Sequence, residues 1–379
     1  MLLYYCEQRF LKIMFDFFNQ KTAVFGLDLS DISLKVAQLK PEGRGLVLAN
    51  YGRQEIPRGV IGGGAIKKVD ELADVIKKGV AGVNGLPINT KYCVVSLPET
   101  ESFIRVIRLP RMKPNELKEA VRWEVENQIP LPIDQVYFDW QIVEPPRVSF
   151  DHYDILIGAL GRSLVDPYLK VFKEAGLRPL VFEIESVATS RALIKDELAL
   201  SPVMIIDIGA RRTSFIIFAG RTIHFTASLP LSNEYLVKEI AKKLDVSLGK
   251  AKELKFEVGL NKDREDGRVF QSLLPSINEL VNQIKKYIDF FRTHGPKEQS
   301  ETKDVSKVAL CGGGANLSGL SSFLSGALDL PVEVGNPWVN ILEAAPESIP
   351  ELSYDQSISY ATVLGLALRG ARMGMNGSC

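Results

Sequence analysis

The sequence predicts an α/β protein of two related lobes, each a mixed sheet covered by helices. Three observations carry that prediction: a strand, acid and hairpin unit that occurs twice, amphipathic helical segments after each occurrence, and a glycine-rich corner behind a late apolar strand. The first unit, AVFGLDLSDISLKVAQLK, runs from an apolar strand to Asp28, through a short polar turn and into a second strand, with GLVLANYGRQEI as a third. The second, PVMIIDIGARRTSFIIFAGRTIHFTASL, repeats the order, with Asp207 at the strand end and Thr213 after the turn. Their separation is close to half the chain, which marks two related lobes and not a stack of short repeats.

The helical segments follow. KKVDELADVIKKGVAGV places Val69, Leu72, Ile76 and Val80 on one face, and SINELVNQIKKYIDFF does the same with Ile277, Leu280, Ile284, Ile288 and Phe291. Both stripes face a core, and strands alternating with such helices define the α/β class.

The third observation is KVALCGGGANLSGL, where Gly312, Gly313 and Gly314 follow an apolar strand. A backbone this bare implies a close approach or a positive φ. Taken alone, a strand-to-helix turn with no ligand explains it as well as a bound phosphate or flat ring does. In open α/β sheets, ligands bind beyond the carboxyl ends of the strands, where Asp28, Asp207 and these glycines would all lie.

Composition narrows the chemistry. A chain of 379 residues, 46% hydrophobic, can bury a large core and divide into two or more domains. Lys plus Arg number 46 and Asp plus Glu 46, so the excess positive charge that nucleic-acid binding uses is missing, and no nucleic-acid partner is expected. Cys6, Cys93, Cys311 and Cys379 form no CxxC pair, and His152, His224 and His294 are scattered, which argues against a zinc site, a disulfide framework or a Cys–His nucleophile. The leading MLLYYCEQRFLKIMFDFFNQK is apolar but interrupted by Glu7, Arg9, Lys12 and Asp16, so neither a membrane span nor a signal peptide is expected. Leu3, Cys6, Phe10, Ile13 and Phe17 fall at helical spacing, which predicts an amphipathic helix there, docked on the protein itself, on a partner or on a membrane surface, or else an extension preceding a start at Met14.

One acid from each lobe facing across a cleft suits Mg²⁺, which takes one or two carboxylates plus water and phosphate oxygens. Backbone amides in the turns after Asp28 and Asp207 are placed for phosphate oxygens, with Ser33, Thr213 and Lys35 as side-chain donors. Singly, each Asp reads as a turn-capping residue, since Asp bonds its own backbone in turns. Three such corners together favour a site.

With these residues in hand, GLDLSDISLKV, IIDIGARRTSFII and VALCGGGANLSGL resemble the two phosphate loops and the adenosine loop of the actin-like ATPase superfamily. Within it, LPRMKPNELKEAVRWEVENQIPLPIDQVYFDW resembles a segment of the PilM-type cytoplasmic proteins of type IV pilus assembly, with Glu124 on its helix and IPLP before a strand. GLRPLVFEIESVATSRAL and SYATVLGLALRG resemble that family's two interlobe helices, and MFDFF at Met14 is similar to its usual start. The resemblance runs from Met14 to about Arg372. It implies the actin-like, ribonuclease H-like duplicated two-lobe fold with an FtsA/PilM-type extra subdomain that reads strand, helix, strand, strand, helix. FtsA itself ends in a basic amphipathic membrane helix, whereas this sequence ends RGARMGMNGSC, so the PilM type is expected.

The implied organisation is an N-terminal helix or extension over 1–22 and a first-lobe core over 23–96 with 177–200 and 340–372. The extra subdomain takes 97–176, the second-lobe core 201–243 with 306–339, its outer subdomain 244–305, and a tail 373–379. Two polar stretches, Gly259 to Arg268 and Thr293 to Ser306, are expected as exposed loops.

The resemblance further implies ATP and Mg²⁺, with Asp28 and Asp207 at the metal. Ser30, Ser33, Lys35, Gly209, Thr213, Gly312, Gly313, Gly314 and Asn316 are the other expected nucleotide contacts, with Glu253 and Lys255 toward base or ribose. Glu185 is the candidate to orient a water, or else an acid on a helix N-terminus. The sequence departs from the family's pattern at several points. Ser30-Asp31 stands where Gly-Ser is usual, adding a carboxylate near the phosphates; Ser232-Asn233 replaces paired glycines, Ala227 an arginine, and Lys252 a glutamate. The implied role is an ATP-binding, peripheral assembly protein that couples nucleotide state to the short cytoplasmic tail of a PilN-like inner-membrane protein, with weak or no hydrolysis and with self-association left open. An FtsA-like tether, a hydrolysing ATPase and a sugar-kinase-like phosphotransferase are the alternatives, and no acid stands out to serve a kinase's acceptor hydroxyl.

Overall fold

Two sheets share one strand order. In the computed structural model, which describes residues 3–4, 23–43, 45–143, 151–295, 304–342 and 351–376, the first sheet runs Gly45–Glu55, Ser33–Glu42, Phe25–Leu29, Tyr92–Leu97, Arg178–Ile184. The second runs Thr222–Leu229, Thr213–Gly220, Ala199–Ile208, Lys307–Cys311, Val332–Val334. In both, an antiparallel three-stranded meander ends on a strand that pairs in parallel with one later strand, which in turn pairs in parallel with a second. The first sheet carries short outer strands at its edges, Asn84–Gly85 and Leu3–Tyr4, the latter antiparallel to Phe182 and Val181. Leu3 thus lies in an edge strand and not in the expected leading helix, and the rest of that segment, through residue 22, lies outside the described residues.

The middle strands are buried on both faces, so they read as apolar runs without alternation: every residue of Phe25–Leu29 is buried. One face of the first sheet packs against the helix Val69–Ala81, through Leu72 and Ile76, and against Arg162–Glu174. Ala361–Asn376 covers the other face through Val363, Leu364, Leu366 and Ala367. In the second lobe the helices Asn233–Leu244 and Leu248–Glu257 start at Ser232 and Ser247, whose hydroxyls accept the amides of Tyr235 and Lys250. Arg268–His294 then buries the expected stripe of Ile277, Leu280, Ile284 and Phe291. The polar stretch before it forms a largely exposed turn; in the second stretch, 296–303 lies outside the described residues.

Between the hairpin unit and the interlobe helices stands a third sheet, Val136–Val143, His152–Gly161, Ser102–Pro110. The helix Pro114–Gln128 covers one face through Leu117, Val121 and Val125, while Val143, Leu156 and Leu160 join the first lobe's core. With Arg162–Glu174 following, the order is the expected strand, helix, strand, strand, helix.

The helices Glu185–Leu193 and Ala361–Asn376 cross between the lobes. A Cβ on Gly365 would lie 1.8 Å from the carbonyl oxygen of Ala188, so only glycine permits this crossing, and the hydroxyls of Thr189 and Thr362 meet at 2.9 Å beside it. Among the described residues no helix is long and apolar enough to cross a membrane.

Candidate functional site

Asp28 and Asp207 occupy the same place in their two sheets: each is the penultimate residue of the strand that ends the meander. Both side chains line one cavity of about 190 Å³ between the lobes, together with Gly312 and Gly313. The expected convergence of the three corners is therefore present.

Each acid is held differently. Ser96 donates its hydroxyl to Asp28 Oδ1 at 2.8 Å and accepts the amide of Leu29 at 3.1 Å, which fixes the carboxylate at the strand end. Lys35 Nζ stands 3.9 Å from Asp28 Oδ2 and donates to the Ser359 carbonyl at 2.5 Å, so it ties the first hairpin to the approach of the helix Ala361–Asn376. Burial pushes Asp207 up to about 6, with Lys35 opposing the shift and Asp28 adding to it. Glu185, at the start of its helix, also lines the cavity. Burial first, then the charges of Asp28, Glu99 and Asp207, raise its pKa well above the ordinary value, and Arg212 draws it back. Acids that repel one another in a confined space favour a cation. Among the described residues no three His, Cys, Asp or Glu side chains are grouped to hold a metal unaided, and two carboxylates completed by water and phosphate is the usual magnesium arrangement.

The turns are partly committed to themselves. The Ser30 amide donates to the Ser33 carbonyl at 2.9 Å, the Ser33 amide to Ser30 Oγ at 3.1 Å, and the Gly209 amide to the Arg212 carbonyl at 2.9 Å. Ser30, Ser33 and Gly209 thus shape the two bends. Asp31, Ala210 and Arg211 at the bend tips also line the cavity, and their amides take no part in those bonds. The extra carboxylate of Asp31 accepts the amides of Gly63 and Gly64 at 3.0 and 2.9 Å, so much of its charge is engaged by the adjoining hairpin.

The glycine corner divides. At Gly312, with φ +80°, a Cβ would stand 2.1 Å from Asp207 Oδ1; at Gly314 it would stand 2.2 Å from Ile208 Cγ2. Both are required by the chain's own packing against the end of the neighbouring strand Ala199–Ile208. At Gly313 the nearest atom is Asn233 Nδ2 at 3.9 Å, which leaves that residue open to the cavity.

Of the remaining expected site residues, several lie outside the cavity wall. Thr213 is buried and donates to the Leu231 carbonyl at 2.8 Å, closing the hairpin base. Asn316 donates to the Asp355 carbonyl at 2.9 Å, and exposed Glu253 pairs with Lys250 at 3.2 Å. Lys255 reaches the wall indirectly, donating at 2.6 Å to Asn233 Oδ1, and burial lowers its pKa to about 8. Residues not anticipated from sequence include Ser96, Arg53, Arg212 and Asn233 as a lining side chain. Arg211 and Arg212 were visible as the second turn's own residues; Ser96 had no local signal.

The sequence profile of the type IV pilus assembly protein PilM family matches residues 26–371. Among solved structures, the PilM–PilN type IV pilus biogenesis complex is similar at 26% identity and TM-score 0.76, over 93% of this chain and 99% of that one. MreB5 of Spiroplasma citri bound to AMPPNP shares the fold at 14% identity and TM-score 0.53, over 94% and 99%. The ethanolamine utilization protein EutJ from Carboxydothermus hydrogenoformans does so at 16% and 0.51, over 91% and 89%. The cell division protein FtsA of Neisseria meningitidis serogroup B is 22% identical over 202 residues, 48% of this chain; the chain spans about half that relative's length, 47%. The duplicated strand order, the added three-stranded sheet and the profile match across nearly the whole chain agree, and this protein belongs to the type IV pilus assembly protein PilM family, with the actin-like two-lobe fold.

Proposed function

We propose that this protein is a cytoplasmic actin-like assembly factor of a type IV pilus or related secretion machine. In this reading, ATP with Mg²⁺ in the interlobe cleft biases the lobe arrangement and so the binding of the N-terminal tail of a PilN-like inner-membrane protein. The observation that carries it is the pairing of Asp28 with Asp207, equivalent residues of duplicated sheets, on one cavity. Family membership supplies the machine, and the similar PilM–PilN complex suggests the partner and a position peripheral to the inner membrane.

The residues present fit such a ligand. The elevated pKa of Asp207 reports a site that gains from a cation, and Gly313 offers bare backbone. Asp28 and Asp207 would hold magnesium through water, and the metal would neutralise phosphate charge. Ser30, Ser33, Lys35 and Gly209 form the phosphate side, with the free bend tips as amide donors. Gly312, Gly313, Asn233 and Lys255 form the nucleoside side. Thr213, Gly314 and Asn316 brace these corners from behind, and Glu253 stands apart from them. Glu185 is favoured in its protonated form, which positions a water without taking its proton, so slow or absent hydrolysis is expected.

The test is titration of a synthetic partner-tail peptide into the protein with and without Mg-ATP. A difference in affinity between the two states is expected. Absence of peptide binding in both states would overturn the partner, and absence of nucleotide binding would overturn the coupling.

A further inference from the structure

At the other end of the same two helices lies a second cavity, of about 310 Å³, that shares no lining residue with the cleft. Its walls come from the three-stranded sheet at Gln141 and Leu156, from both interlobe helices, and from the second lobe's hairpin at Arg221 and Thr222.

The cavity is built around positive charge. Arg191, Arg221, Arg369 and Arg372 line it. Glu183, just behind the wall, binds Arg191 at 2.6 Å and Arg369 at 2.5 Å, and Glu197 pairs with Arg372 and, at 3.6 Å, with Arg191. Four guanidiniums thus meet two carboxylates, an excess of two positive charges. Arg221, exposed at the hairpin tip, has no ion pair among the described residues.

Three lining residues also carry idle hydrogen-bonding groups just behind the cavity surface. Ser190 and Thr222 are 2% and 3% exposed, yet the hydroxyl oxygen of each lacks a partner, as does Arg369 Nε. Buried polar atoms are rarely left so, and each calls for a reason. A common reason for these three is a ligand that supplies oxygen acceptors.

We propose that this rear cavity binds the phosphate group of a small soluble molecule. A phosphate monoester carries close to two negative charges and three acceptor oxygens, matching the excess charge and the set of idle donors, where a single carboxylate supplies half the charge. Guanidiniums bind phosphate oxygens in a planar fork, and the cavity lies at the lower end of the size range of small-molecule sites, about 300–1,000 Å³. The site is independent of the nucleotide reading of the front cleft.

The experiment is calorimetric titration of the full chain with inorganic phosphate and with glycerol 3-phosphate at constant ionic strength. Arg221→Ala, Thr222→Val and the front-cleft variant Asp28→Asn are titrated alongside. Saturable binding is expected in the parent and in Asp28→Asn, weakened about tenfold or more by Arg221→Ala, the loss of one charge-assisted hydrogen bond. Thr222→Val keeps the side-chain shape and removes the hydroxyl, so it decides the matter should Arg221→Ala alter the thermal melting of the protein. Lack of saturable binding in the parent, binding abolished by Asp28→Asn while both rear variants retain it, or binding to phosphatidic acid vesicles without binding to the free phosphates would each overturn the proposal.

Discussion

Arg191 grips Glu183 with two parallel bonds, Nη1 to Oε2 and Nη2 to Oε1, both 2.6 Å, and Arg369 adds a third to the same carboxylate at 2.5 Å. One buried acid at the end of the strand Arg178–Ile184 therefore fastens both interlobe helices to the first sheet. Burial alone would raise its pKa, but the two guanidiniums prevail and hold it at about 2. We expect Glu183→Gln to cost about 3–5 kcal/mol at pH 7, because it leaves buried guanidiniums without their counter-charge. Since the folded pKa lies below the ordinary 4.5, this stabilisation is present above pH 4.5 and lost as pH falls toward 2. Urea unfolding of parent and variant at pH 7 and pH 3 should show the gap narrowing in acid.

Asp207 behaves in the opposite sense. Its folded pKa of about 6 lies above the ordinary 3.8, so its ionisation costs stability as pH rises through that interval, and the cost is complete above pH 6. Asp207→Asn should raise the unfolding free energy at pH 7 by about 2–3 kcal/mol while abolishing Mg-nucleotide affinity. In the parent, that affinity should fall as pH is lowered through 6. Denaturant melts paired with nucleotide titrations at pH 5 and pH 8 check both parts.

The glycine corner gives a contrast within two adjacent positions. Gly312→Ala places a methyl 2.1 Å from Asp207 Oδ1 at positive φ and should destabilise by about 1–3 kcal/mol or more. Gly313→Ala meets no atom closer than 3.9 Å and should change stability by less than about 0.5 kcal/mol, while weakening nucleotide. Chemical denaturation separates the first effect from the second, and a fluorescent nucleotide analogue reads the second directly.

His224 supplies an acid-sensitive element. Burial lowers its pKa to about 4, and Nε2 has no hydrogen-bond partner. Because the unfolded chain takes up its proton near pH 6.5, stability falls from there down to pH 4, by about 3 kcal/mol from this residue. His224→Phe should melt close to the parent at pH 7 and above it at pH 4.5, as followed by circular dichroism.

Much of this architecture was legible because its signals are local. An acid at the end of an apolar strand, a polar bend and a second strand lie within a few residues of one another, so the duplication could be read twice over, and the helical stripes at Ile76 and Ile284 show their own period. What could not be read depends on partners distant in the chain. Ser96 fixes Asp28 from 68 residues away, and Asp31 turns its carboxylate to Gly63 and Gly64. Thr213, expected at the ligand, instead closes a hairpin by bonding Leu231. The glycine run by itself fits a ligand or a bare turn equally, and two of its three members are required by Asp207 and Ile208, neighbours in space that no pattern within the run discloses.

The bare contact between Gly365 and Ala188 sets the manner in which the two halves can move. Glu185 and Thr362 stand on its cleft side, Arg191 and Arg369 on the far side. Rods whose main chains touch can roll about that point, but sliding would pry them apart. The crossing is then a fulcrum, with the front gap and the rear one on its two arms.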